Sequence, residues 1–170
     1  MDSMGHGGDL RRFSEIFGIK EEDWLDFSSN VNPLGIPDSV ARVYRESERD
    51  LLLYPDPRAR DLCDEIAGRY GLSVDHVMAG NGAMGLLALA IRTLHPKKAV
   101  LIEPCFTEYR RLLELQGAEI CSVPLRESGG FQFPLAGILS ALKETECLIL
   151  GQPNNPTGTN LSPEITLGLA

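Results

Sequence analysis

After the apolar run Cys147–Leu150 the chain breaks into Gly151-Gln152-Pro153-Asn154-Asn155-Pro156-Thr157-Gly158-Thr159. Prolines and glycines around an Asn pair make a stiff polar turn, and an Asn held there can donate a side-chain N–H to an oxygen at a set position. The same residue types also serve turn geometry alone, so the segment draws its meaning from others upstream. Gly80-Asn81-Gly82-Ala83 precedes a helical pattern. The unpaired N–H groups and dipole of a helix start suit a phosphate, with a plain tight turn as the alternative. Pro104-Cys105-Phe106-Thr107-Glu108-Tyr109 holds the equivalent place after a further strand. There the Phe106 ring either stacks on a flat ligand or packs into the core. Tyr54-Pro55-Asp56-Pro57 is a rigid turn whose phenol reaches a phosphate oxygen or simply packs. His6, set between glycines, is either a functional imidazole or part of a flexible leader.

Those segments need a scaffold, and the hydrophobic pattern supplies one. Residues 1–53 read as a loop-rich N-terminal arm with a first helix, in which Asp38 caps a run through Val40, Val43 and Tyr44. Residues 54–170 read as one layered domain. A helix with Leu62, Ile66, Ala67 and Tyr70 ends at Gly71, and a short strand is expected over Val77–Ala79. Helices over 82–94, 107–116 and 135–143 then alternate with strands over 99–102, 119–123 and 147–150. The alternation predicts an α/β fold, a mostly parallel sheet flanked by helices. Ser162, Pro163 and Glu164 have the composition of a helix start, and the sequence reaches Ala170 about two turns later. An α/β chain that opens a crossover helix with no following strand is expected to be the N-terminal part of something longer.

Composition excludes several roles. At 170 residues, 43% hydrophobic and 24% charged, the chain suits a globular domain. A net charge of −8 and a pI near 4.9 argue against nucleic-acid binding. No stretch has the length of a membrane span and no secretory leader is evident, so a cytoplasmic location is expected. Cys63, Cys105, Cys121 and Cys147 are widely spaced, as for reduced buried thiols. His6, His76 and His95 lack metal-ligand spacing, so no metal site is expected.

Taken in order, these segments resemble the fold-type I pyridoxal phosphate enzymes of the aspartate aminotransferase superfamily, over nearly the whole chain from His6 to Thr159. His6-Gly7-Gly8 and Asp26-Phe27-Ser28-Ser29-Asn30-Val31-Asn32-Pro33-Leu34-Gly35 are most similar to the threonine-phosphate decarboxylases of cobalamin synthesis. Histidinol-phosphate aminotransferases share the Asn-Pro-Leu-Gly, Tyr-Pro-Asp, Gly-Asn-Gly and Asn-Asn-Pro-Thr-Gly features and form the alternative. The resemblance implies a pyridoxal 5'-phosphate cofactor held through its phosphate by Gly82, Ala83 and Met84. It implies that Phe106 covers the pyridine ring and that Asn155 hydrogen-bonds its phenolic oxygen. Tyr54 would serve the cofactor phosphate of a second subunit, which implies a homodimer with shared sites. His6, Asn30 and Tyr109 would meet a phosphorylated amino-acid substrate. The implied reaction converts L-threonine O-3-phosphate to (R)-1-aminopropan-2-yl phosphate.

Two departures from the family pattern stand out. The segments that carry the family's Schiff-base lysine, ring-nitrogen aspartate and carboxylate-binding arginine follow the Asn-Pro-Thr-Gly turn, so no catalytic residue of this chain is assigned. Lys20, Lys97, Lys98 and Lys143 lack the context of that lysine. Gly85 stands where relatives carry Glu or Asp, which removes a favourable carboxylate from the first helical turn. These residues by themselves are therefore expected to be inactive. A non-catalytic remnant or phosphate-binding module is the reading of another class, one that predicts association through uncovered sheet edges.

Overall fold

The computed structural model describes residues 8–29 and 31–169, so His6 and Asn30 lie outside the described residues. The chain divides into two compact units, Met1–Pro55 and Asp56–Ala170.

The first unit holds more regular structure than a loop-rich arm. Helix α1 (Leu10–Phe17) starts at Asp9, whose side chain accepts from the Arg12 N–H at 3.2 Å, and stops at Gly18 in the left-handed conformation (φ 67°). Leu10, Phe13 and Phe17 recur at helical spacing. Phe13 and Phe17 meet Trp24 edge-on, with ring centroids 6.4 and 6.0 Å away. The Trp24 Nε1–H donates to Ser14 Oγ at 2.9 Å, so the indole's one polar group is satisfied within this aromatic group. Helix α2 (Asp38–Glu46) follows Pro37. Asp38 is its first helical residue and not the expected cap: Pro37 holds the cap position, and the Asp38 carboxylate complements the dipole from the first turn instead. A 3-10 helix over Ser47–Leu52 continues the chain.

In the second unit the Asp56 carboxylate organises the entry to helix α3 (Arg60–Tyr70). It accepts from the Arg60 N–H at 2.8 Å, the Arg58 N–H at 3.2 Å and the Arg60 guanidinium at 2.9 Å. The Arg60 side chain, followed by these backbone donors, pulls the Asp56 carboxyl down to about 2. Gly71, at φ 65°, ends α3 as expected. The strand expected over Val77–Ala79 does not form. Val77 is extended, but a strand exists only by pairing, and none of the described strands lies beside this segment.

Three strands make the sheet among the described residues: β1 (Lys98–Glu103), β2 (Glu119–Pro124) and β3 (Cys147–Ile149). Their order is β2-β1-β3 and both pairings are parallel. Helices α5 (Thr107–Leu115) and α6 (Leu135–Leu142) supply the crossovers, and α4 (Ala83–Leu94) leads into β1. The period of two along β1 divides the core. Val100 and Ile102 pack with Val123, Leu125, Phe133 and Ile138 on the α6 side, while Ala99 and Leu101 pack with Ile91, Leu113 and Ile149 on the α4 and α5 side. Each fully buried side chain such as Leu101 or Ile102 contributes on the order of 2 kcal/mol through lost water contact. Being covered on both faces is why β1 reads as a continuous apolar run.

Helix α7 (Pro163–Leu169) begins where the composition indicated, with the Ile165 N–H donating to Ser162 Oγ at 3.4 Å. The four cysteines are free thiols; Cys63 is buried, and Cys105, Cys121 and Cys147 are half-buried. No helix among the described residues is long and apolar enough to cross a membrane.

Candidate active site

Three segments end at one edge of the second unit because of how the chain winds. Helix α4 packs Leu87 and Ile91 on the sheet and feeds directly into the amino end of β1, so its own N-terminus lies toward the strands' carboxyl edge. Phe106 caps α5 just past the end of β1, and Asn155 lies in the turn after β3. Ligands of parallel α/β sheets gather at this edge.

At the start of α4, Gly82 adopts φ 82° and ψ 150°, a conformation essentially reserved for glycine, and no side chain caps the helix. A side chain built at Gly82 or Gly85 would meet no atom within 4 Å. The approach to the backbone N–H groups of Ala83 and Met84 is therefore open, and a helix dipole points along it. A phosphate group fits such a cradle. Asn81, Gly80 and Gly85 also face a cleft of about 490 Å³ that Arg58 and Cys63 line from the α3 side. Arg58 carries no motif, and sequence reading passed over it.

The Phe106 ring is half-buried and meets the Tyr109 ring edge-on at 5.6 Å between centroids. The Tyr109 hydroxyl lies 3.5 Å from the point a side chain at Gly151 would occupy. Phe106 and Tyr109 ride on α5, and Arg110 anchors that helix. Its guanidinium forks onto the Glu103 carboxylate, Nε to Oε1 at 2.9 Å and Nη2 to Oε2 at 2.8 Å, and reaches Glu114 at 3.3 Å. Ser122 on β2 also donates to Glu103. The Arg110 fork, aided by Ser122 against the opposing effect of burial, holds the Glu103 carboxyl below the usual carboxylate range. This brace spans a strand end and a helix, a pairing that no single periodicity reveals.

The two asparagines of the turn divide their work. Asn154 is 3% exposed and Asn155 is exposed. The Asn154 amide donates to the Pro104 carbonyl at 3.1 Å and to Thr157 Oγ1 at 2.8 Å, while Thr157 and Thr159 hydroxyls meet at 2.7 Å. Asn155 projects from a turn that its neighbour has tied down. Burial pushes the adjacent Cys105 thiol up to about 11, with the Glu103 charge adding to the effect, so it stays protonated.

Of the residues marked from sequence, Gly82, Ala83, Met84, Phe106, Tyr109 and Asn155 all belong to the second unit and to its carboxyl edge. Tyr54 is 93% exposed and belongs to the first unit. Lys97, Lys98 and Lys143 stand at the opposite end of the strands: Lys98 opens β1 and Lys143 closes α6 just before β3.

A parallel α/β sheet with a glycine-opened helix start, an aromatic cap and an Asn-Pro turn along one edge has the architecture of a fold-type I domain. The chain belongs to the aminotransferase class I and II family, whose profile matches residues 22–167. It is 36% identical over 162 residues to the threonine-phosphate decarboxylase of Salmonella typhimurium, covering 95% of this chain and 44% of that protein. It is 32% identical over 146 residues to the histidinol-phosphate aminotransferase of Halalkalibacterium halodurans, covering 84% of this chain and 39% of the relative. The crystal structure of the histidinol-phosphate aminotransferase from Clostridium acetobutylicum superposes with a TM-score of 0.77 at 31% identity, over 86% of this chain and 43% of that one. The chain thus spans less than half the length of the curated relatives it matches. The family is one of pyridoxal phosphate enzymes, and the open cradle at α4 accommodates such a phosphate.

Proposed function

We propose that the protein takes part in the pyridoxal phosphate-dependent decarboxylation of L-threonine O-3-phosphate, within cobalamin biosynthesis in the cytoplasm. The observation that carries this reading is the 36% identity to a threonine-phosphate decarboxylase along 95% of the chain, which includes every segment of the carboxyl-edge site. In this reading the N–H groups of Ala83 and Met84 bind the cofactor phosphate beside Gly82, whose own N–H donates to the Gly80 carbonyl at 2.9 Å. Phe106 covers one face of the cofactor ring, and the Asn155 amide donates to the phenolic oxygen. Tyr54 adds its hydroxyl to the phosphate of a partner subunit in a homodimer with shared sites. Tyr109, His6 and Asn30 receive the substrate. Bound there, pyridoxal phosphate supplies an electron sink for whichever bond at the substrate Cα stands perpendicular to its ring. The residues of this chain orient: they fix the ring plane, hold the substrate phosphate and so decide whether carboxylate or proton occupies the perpendicular position.

No lysine of the second unit stands at the carboxyl edge, so the Schiff-base lysine is assigned to none of these residues. The histidinol-phosphate aminotransferase reading rests on the 0.77 TM-score to such an enzyme, and the binding-module reading on the cradle alone. Supplying a form of the protein that carries the lysine-bearing segment with L-threonine O-3-phosphate, or with histidinol phosphate and oxoglutarate, separates the three. Carbon dioxide release from the first supports the decarboxylase, glutamate formation from the second supports the aminotransferase, and phosphate binding without either product supports the module.

A further inference from the structure

Asn154 is the one buried polar side chain among the described residues, and an amide in that position is costly unless it is paired. Its backbone groups and its side-chain N–H groups are all engaged. Its backbone N–H donates to the Thr159 carbonyl at 2.9 Å and its carbonyl accepts from the Gly158 N–H at 2.7 Å, which closes the turn. The side-chain bond to Thr157 Oγ1 completes the same local turn. The bond to the Pro104 carbonyl does something different, because it leaves the turn and reaches a residue 50 positions away in the chain. Turn geometry does not call for it. Pro104 is two residues before Phe106, and Asn154 is bonded to Asn155. One amide N–H therefore ties the loop that presents an aromatic face to the loop that presents an amide donor.

We propose that Asn154 is a positioning residue that sets the separation of Phe106 and Asn155, so that a single flat ligand meets the ring and the donor together. This rests on the pyridoxal phosphate reading for the identity of the ligand, while the tie between the loops stands on its own geometry. The cradle at α4 is reached through a separate segment and does not depend on Asn154. Loss of the tie thus weakens a ligand that spans both loops and leaves one that uses only the cradle.

The test compares Asn154→Leu and Asn154→Ser with the unsubstituted protein. Leu is close in shape but has no donor for Pro104, and Ser is too short to reach it. Three quantities are measured: affinity for pyridoxal phosphate, with its induced circular dichroism; affinity for inorganic phosphate; and hydrogen exchange of the amides at 105–107. The expected result is about a tenfold loss of pyridoxal phosphate affinity, as for one hydrogen bond. The induced dichroism weakens, phosphate affinity is unchanged, and exchange at 105–107 quickens in both variants. Equal losses for both ligands would mark Asn154 as merely structural, and unchanged exchange at 105–107 in a folded variant would overturn the tie. If the unsubstituted protein binds phosphate but no pyridoxal phosphate, the cofactor reading fails and the exchange measurement alone decides the role of Asn154.

Discussion

The same parallel strands are finished differently at their two ends. At the amino end the polar groups are charges that answer one another in solvent. Lys98 reaches Glu119 at 3.2 Å and Glu144 at 3.9 Å, and the Glu146 carboxylate accepts from the Lys97 N–H at 2.8 Å. At the carboxyl end the groups are backbone donors, an aromatic ring, neutral amides and the ion pairs of Arg110 with Glu103 and Arg111 with Glu108 on α5. Exposed ion pairs are worth little and exchange partners readily. A neutral donor locked in a rigid loop has fewer alternatives, and that is what makes it available to a ligand. The difference teaches that one edge carries interchangeable solvated charges while the other carries donors fixed by geometry.

That contrast is open to attack from its strongest point downward. Gly82→Val forces a branched side chain into a conformation essentially closed to it, at a cost of about 1–3 kcal/mol. Isothermal titration with inorganic phosphate should then show a loss of about 10- to 100-fold, and an unchanged affinity would remove α4 from the site. Phe106→Leu keeps apolar volume but removes the flat face. Pyridoxal phosphate affinity should fall about two- to tenfold with phosphate affinity intact, whereas parallel losses would count against stacking.

Arg110→Met tests the brace and should lower stability by about 1 kcal/mol in urea denaturation. Because the Glu103 carboxyl is held below its unfolded value, the brace contributes fully above the ordinary carboxylate range and loses its contribution as pH falls through the folded value. The gap between Arg110→Met and the unsubstituted protein should accordingly be constant near neutrality and close in acid. A gap that widens in acid would contradict this sign. Lys98→Met, at the other edge, should change stability by no more than about 0.5 kcal/mol and shrink toward nothing in high salt, with phosphate affinity untouched. A larger, salt-insensitive effect would mean the amino edge is not the interchangeable surface described.

How well each part could be foreseen depends on where its information resides. The runs 99–102, 119–123 and 147–150 advertise themselves through residue type, and the observed strands match them to within a residue at each end. The helix boundaries at Thr107, Leu135 and Pro163 were equally plain. Helix α1 is short and follows the glycine-rich Gly5-His6-Gly7-Gly8, which signals a loop, although Asp9 and the Leu10, Phe13, Phe17 spacing carry a helix signal. The 77–79 segment failed for the opposite reason: its residues favour a strand, but pairing is a property of neighbours and not of composition. In the site, the glycines before α4 and the Asn-Pro turn after β3 lie toward the carboxyl ends of the strands. The resemblance singles out Asn155 as the presented donor, whereas the role of Asn154 as a tie shows only in its burial and its bond to Pro104. The Glu103 and Arg110 brace was likewise invisible, since it depends on how far α5 tilts over the end of β1.

The bond from Asn154 to Pro104 also bears on how the molecule folds. Closing a contact across 50 residues costs chain entropy that local turns do not, and that cost falls once the intervening strands and crossovers hold the two loops together. A ligand gripping both loops would bind no partly assembled chain. It would therefore report on completed folding, and by mass action would draw the population toward that state in proportion to its concentration.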